Sequence, residues 1–271
     1  MTERPRAAAA KASRTGLVRS SYLESMLTVR MLRPLAARRL AHLALACLLL
    51  GISAAPASAT AKAYRLDLGA RSDFVAQTNF VQCVGASMQM MLNMIQPGAD
   101  RTAATQLRLQ KLARQWSGAR PDGMERQGAS VRGWAAGLNL LGAGPYRLVG
   151  MTTLEEALLT AARAMRRTGR PVGLLMWRGR HAWVMSGFRA TGDPLVTGTQ
   201  ITGAIVEDPL YPYGSSVWGP SPAPGATLTP EELGRQFVPR RTSSRWGMQQ
   251  LSGKYVLVVP YQRDLRKFRR T

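Results

Sequence analysis

The hydrophobic pattern of this 271-residue chain changes period at Gly169. Before that point apolar residues recur at helical spacing, and after it they gather into short unbroken runs of strand length. Residues 83–95 begin at Cys83 and put Met88, Met91, Leu92 and Ile95 on one face before Gln96-Pro97-Gly98 ends the run. Residues 102–116 repeat Leu107, Leu109 and Leu112 among basic side chains, and Ser130 is placed to cap a helix reaching Leu141. Thr153-Leu154-Glu155-Glu156 reads as a capping box that opens a helix to Arg167.

Beyond Gly169 the apolar runs cover 171–177, 181–188, 201–206 and 254–261, separated by Gly, Pro and Asp turns. They predict an antiparallel sheet. A Pro- and Gly-rich loop spans 209–226 and leads into Thr229-Pro230-Glu231-Glu232, a capped helix start with proline in its favoured first position. Helices first and strands later imply an α+β fold, a helical lobe packed on an antiparallel sheet lobe.

The first sixty residues read differently. An apolar core from Leu43 to Ile52 follows Arg33, Arg38 and Arg39 and precedes Ala57-Ser58-Ala59, the small-x-small pattern of a signal peptidase site. Such a run is too short to span a hydrocarbon core of about 30 Å comfortably. Residues 1–59 are therefore expected to be a signal-peptide region, with translation from Met31 giving a leader of ordinary length. Export would leave residues 60–271 as one domain beginning at Thr60 and ending in a basic tail at 263–271. That part carries 28 basic and 13 acidic residues, a net charge of +15. Such a charge suits an anionic cell-envelope surface as a partner. The arginines are scattered and form no nucleic-acid motif, so nucleic acid is not expected, and the protein is read as a monomer.

Once the leader with Cys47 and His42 is removed, one cysteine and one histidine remain, Cys83 and His181. A lone thiol in an exported protein has no intramolecular disulfide partner, which leaves an inert core residue, an intermolecular bridge or a nucleophile. A helix N-terminus and an imidazolium neighbour both favour the thiolate, the reactive form. Asp208, ending the apolar run 201–206, is the candidate to hold the imidazole. Asp193 is the rival, but Thr191-Gly192-Asp193-Pro194 looks like a hairpin tip. The bland alternatives are a buried apolar cysteine, a histidine donating to a carbonyl at a strand start, and an Asp-Pro turn.

The order Gln77, then Cys83 six residues later at a helix start, then His181 opening a strand, then Asp208-Pro209 after a later strand resembles the papain-like cysteine peptidases. It is most similar to their compact bacteriocin-processing, double-glycine-peptidase-like branch, over residues 74–261. The resemblance implies a papain-like fold and a Cys83-His181-Asp208 triad acting on a peptide or protein substrate through a thioester, with neither metal nor organic cofactor. Gln77 and the Cys83 backbone N–H would then donate to the oxyanion. Gln82 and Asn79 lie close enough to replace Gln77 in a shifted register. Two other readings stay open: a transglutaminase-like acyl transferase, separable by acceptor dependence, and a non-catalytic module that binds an anionic envelope component, separable by thiol reactivity.

Overall fold

The computed structural model describes residues 62–262 apart from 97, 99, 121, 122, 126 and 242–246. The expected leader, with Met31 and Cys47, and the basic tail lie outside the described residues. The elements run β1 (Tyr64–Asp67), α1 (Cys83–Ile95), α2 (Ala103–Gln115), α3 (Val131–Leu140), β2 (Tyr146–Met151), α4 (Leu154–Thr168), β3 (Val172–Met176) and β4 (His181–Ala190). Then come β5 (Ile201–Glu207), β6 (Gly214–Ser215), β7 (Gly219–Pro220), β8 (Ala226–Leu228), α5 (Pro230–Gly234) and β9 (Tyr255–Pro260).

Seven strands form an antiparallel sheet in the order β2-β9-β3-β4-β5-β8, and β1 pairs with the outer half of β4. Side chains alternate between two apolar clusters along these strands. Ala182, Val184, Val256 and Val258 pack against α1, α2 and α3, whereas Trp183, Met185, Leu257 and Val259 pack against α4. A sheet buried on both faces explains why its strands read as continuous apolar runs instead of alternating ones.

The helices start and stop where local chemistry dictates. Thr153 and Glu156 exchange the reciprocal bonds of a capping box at α4, and Glu155 and Glu156 meet its positive end. Arg166 and Arg167 meet its negative end, and Gly169 closes it at φ 63 in the left-handed region. Thr229 and Glu232 do the same for α5, with Pro230 at its first position. All four apolar runs after Gly169 become strands, and the run from Cys83 becomes a helix with the expected bounds.

The mixed α+β class holds, but helices and strands are less cleanly segregated along the chain than the change of period implied. β1 and β2 come from before Gly169 and join the sheet through β4 and β9. β1 has only four residues, too few to give a period, and β2 carries Arg147 and Gly150 inside its apolar pattern. The loop expected over 209–226 holds a small ribbon, β6 with β7, and ends where β8 begins. Among the described residues no helix is long and apolar enough to cross a membrane.

Candidate active site

Cys83 is the first residue of α1, and the segment before it is shaped by its own amides. The Asn79 side chain accepts from the Val81 N–H at 3.0 Å, a turn that delivers the chain to the helix start. Gln82, at the N-cap position, contributes no side-chain cap. Instead Gln110, reaching over from α2, accepts the Gly85 N–H at 2.9 Å and donates to the Val81 carbonyl at 2.8 Å. Gly85 makes this approach feasible, since a Cβ there would lie 2.8 Å from the Gln106 carbonyl. One turn back on α2, Gln106 accepts the Thr78 N–H at 2.8 Å and donates to the Ala76 carbonyl at 2.9 Å. Two buried glutamines thus clamp the approach to the cysteine, while the Cys83 and Val84 N–H groups stay at the open helix end.

His181 opens β4 after a tight turn. Trp177 and Arg178 sit at φ 55 and 56, left-handed conformations unfavourable for side chains of this size, and Gly179 follows at φ 100. Hydrogen bonds hold the turn in place. The Trp177 backbone and indole N–H groups donate to the Gln236 carbonyl and side-chain oxygens at 3.0 and 2.8 Å, and Arg241 N–H donates to the Arg178 carbonyl at 3.1 Å. The Trp177 ring then lies on the imidazole, centroids 4.1 Å apart.

The imidazole meets Asp208 on one side and Cys83 on the other. His181 Nε2 lies 2.6 Å from Asp208 Oδ1, an oxygen that also accepts the Leu210 N–H at 2.8 Å. Asp208 is fully buried and His181 is 4 % exposed. The Cys83 side chain acts on the same ring and borders the same cavity, and with Nε2 engaged by Asp208 the ring nitrogen left for it is Nδ1. Burial opposes the charged ring, but the hydrogen bonds and charges of Asp208 and Cys83 outweigh it and raise the His181 pKa to about 9. Cys83 and His181 border a cavity of about 250 Å³, closed on other sides by residues 127–131, Arg180, Arg240 and Met248.

Of the four residues singled out by sequence, the structure brings Cys83, His181 and Asp208 together. Gln77 lies beside the acid: its backbone N–H donates to the Pro209 carbonyl at 2.7 Å, and its amide nitrogen donates to the Asn79 carbonyl at 2.9 Å. It does not line the cavity that Cys83 and His181 share. Gln82 accepts from the Thr78 hydroxyl at 2.7 Å. Asp193 faces Arg166 at 3.3 Å, well away from any role at the imidazole. Among the described residues no group of three or more His, Cys, Asp or Glu is placed to hold a metal ion.

Sequence reasoning passed over Gln106, Gln110 and Trp177. The first two had a signal, since two polar residues at i and i+4 fall on the face of α2 that also carries Leu109 and Ala113 inward. Trp177 had none, because its role depends on a left-handed backbone that residue type does not announce.

No family model matches this chain, and a search of curated proteins finds no match. Among solved structures the chain is similar to the crystal structure of a candidate C39-like peptidase from Bacillus anthracis. The identity is 12%, the match covers 74% of this chain and 100% of that one, and the TM-score is 0.39.

Proposed function

We propose that this protein is a cysteine peptidase on a papain-like plan, hydrolysing a peptide or isopeptide amide, and that it is exported. The observation that carries the reading is the position of one buried imidazole between a thiol at a helix start and a buried carboxylate. A ring held protonated up to about pH 9 is the partner a thiolate needs at neutral pH.

The Cys83 thiolate attacks the substrate carbonyl, and the oxyanion gathers the Cys83 and Val84 N–H groups at the helix end. The Gln77 amide, held on the Asn79 carbonyl and outside the lining of the cavity, has to turn toward Cys83 to serve as the side-chain donor in this scheme. As the tetrahedral centre collapses, His181 gives its proton to the leaving amine and the acyl group stays on sulfur as a thioester. Water then attacks the thioester, His181 takes the water's proton, and the carboxylate product leaves a thiolate behind. Asp208 holds the ring and supports its charge throughout.

Digestion of a broad peptide library tests the reading. The wild-type protein should generate new amino termini at a restricted set of sequences and Cys83→Ala none; equal products from both would overturn it. The export half rests on the apolar run 43–52 and Ala57-Ser58-Ala59. Sequencing of the protein recovered outside the cytoplasm should begin at or near Thr60, and recovery of Cys47 in it would contradict that half.

A further inference from the structure

Across the sheet from α1, a second cavity lies between α4 and the β2-β9 edge. It measures about 470 Å³ and is bordered by Arg147 of β2, Arg163 and Arg167 of α4, Thr160, Thr168 and Tyr261. No acidic residue lines it among the described residues. Arg163 and Arg167 are four positions apart on one helix face, where like charges repel, and Arg147 adds a third from the neighbouring strand. Glu156, the acid next along that face, is engaged with Thr152 and Thr153 at the start of α4. The helix end accounts for one or two basic residues in the last turn, a role Arg166 and Arg167 fill, but not for Arg163 or Arg147.

Two of the three guanidinium groups are oriented before any ligand arrives. Arg163 Nε donates to the Pro194 carbonyl of the loop after β4 at 2.8 Å, which fixes its guanidinium at the border of the groove and leaves its terminal nitrogens outside that bond. Arg147 lies over the Tyr261 ring at 5.3 Å, a contact that fixes the side chain without using its donors. Tyr261 is itself held by its N–H on the Pro145 carbonyl at 3.0 Å.

We propose that this groove is a binding site for a phosphate-bearing anion, either a soluble phosphate compound or a phospholipid headgroup. Planar guanidinium groups carried into one groove by two elements suit the paired oxygens of a phosphoryl group, and a bound anion relieves the repulsion among the three arginines. The groove stands apart from the thiol site and does not depend on what Cys83 does.

The test separates a built site from the general attraction of a cationic chain for anions. Pyrophosphate titrated into the full chain should bind about tenfold or more tightly than into Arg163→Gln/Arg167→Gln. Arg101→Gln/Arg108→Gln removes the same charge on and beside α2 and should bind like wild type. Sedimentation with phosphatidylcholine vesicles, with and without phosphatidylglycerol, gives the second arm. Pelleting that needs phosphatidylglycerol and is lost in Arg163→Gln/Arg167→Gln assigns a headgroup; pyrophosphate binding without pelleting assigns a soluble phosphate. An unchanged Cys83 alkylation rate in each variant serves as the folding check. Failure to bind either probe, or equal weakening in both double variants, overturns the proposal.

Discussion

Trp177 stacks on His181 with ring centroids 4.1 Å apart and planes inclined by 25°, and it does so from a backbone at φ 55. An unfavourable conformation kept next to a buried imidazole has the character of a positioning device. The indole shields the ring on one face, and its bond to Gln236 at 2.8 Å anchors the stack from behind.

Trp177→Ala should therefore lower turnover by about tenfold to a hundredfold, with the greater share in kcat, because the ring loses orientation and not substrate contacts. The pH profile should shift as well, since water entering beside His181 changes the balance that sets its charge. Trp177→Phe keeps the stack and should recover most of the rate. Equal losses in both variants, with an unmoved pH profile, would mean that Trp177 serves only the fold.

Asp208→Asn replaces the carboxylate on Nε2 by an amide and should cut turnover roughly 100- to 10,000-fold. The alkaline limb of the rate, expected near pH 9 for the wild type, should move to lower pH because Asp208 helps keep the ring charged. Asp193→Asn, at a residue paired with Arg166, should leave both the rate and the limb in place. The reverse pattern would assign the orienting acid to Asp193.

Gln77→Ala should depress turnover by roughly 100- to 1,000-fold while sparing the fold and Cys83 alkylation, if its amide turns to serve the oxyanion. Gln82→Ala should do much less. A collapse confined to Gln82→Ala would move the donor by five positions along the segment that leads to α1.

Stability should fall as pH rises, through two buried groups. Burial lifts the Glu207 carboxyl to about 7; bonds from Gly225 and Ser186 offset part of that effect, and the charges of Asp67 and Asp73 add to it. The folded state thus holds a proton between about pH 4.5 and 7 that the unfolded chain has released, and stability declines across that window. His181, raised from 6.5 to about 9, contributes stability that is complete below 6.5 and lost as pH climbs through 9. Each pKa unit corresponds to about 1.4 kcal/mol, so the two groups together set a ceiling of roughly 7 kcal/mol on the decline. Urea midpoints at acidic, neutral and alkaline pH should drop in that order, and Glu207→Gln should flatten the first step. A midpoint that rises from pH 5 to 9 would contradict both assignments.

How much of this was legible in the sequence depends on where the information resides. Cys83, His181 and Asp208 stand at element boundaries marked by changes of pattern, so their residue types and order along the chain were enough to group them. The α4 cap was equally readable, because Thr153 and Glu156 act across a single turn. The clamp made by Gln106 and Gln110 joins residues 25 to 30 positions apart and appears only once α2 lies across the start of α1. β1 was invisible for a related reason: four residues acquire strand character only from their partner, Gly187 to Ala190 of β4. The Trp177 stack combines both difficulties, a non-local contact made from a backbone that no propensity favours.

Alkylation of Cys83 by iodoacetamide, followed from pH 5 to 9 in the native protein, tests the central claim most directly. If the thiol at the start of α1 is paired with the imidazolium of His181, the rate should remain high below pH 7 and drop sharply there in His181→Ala. A rate that rises as an ordinary thiol titrates, near pH 8.5, or a thiol that reacts only after denaturation, would make Cys83 a structural residue and contradict the account.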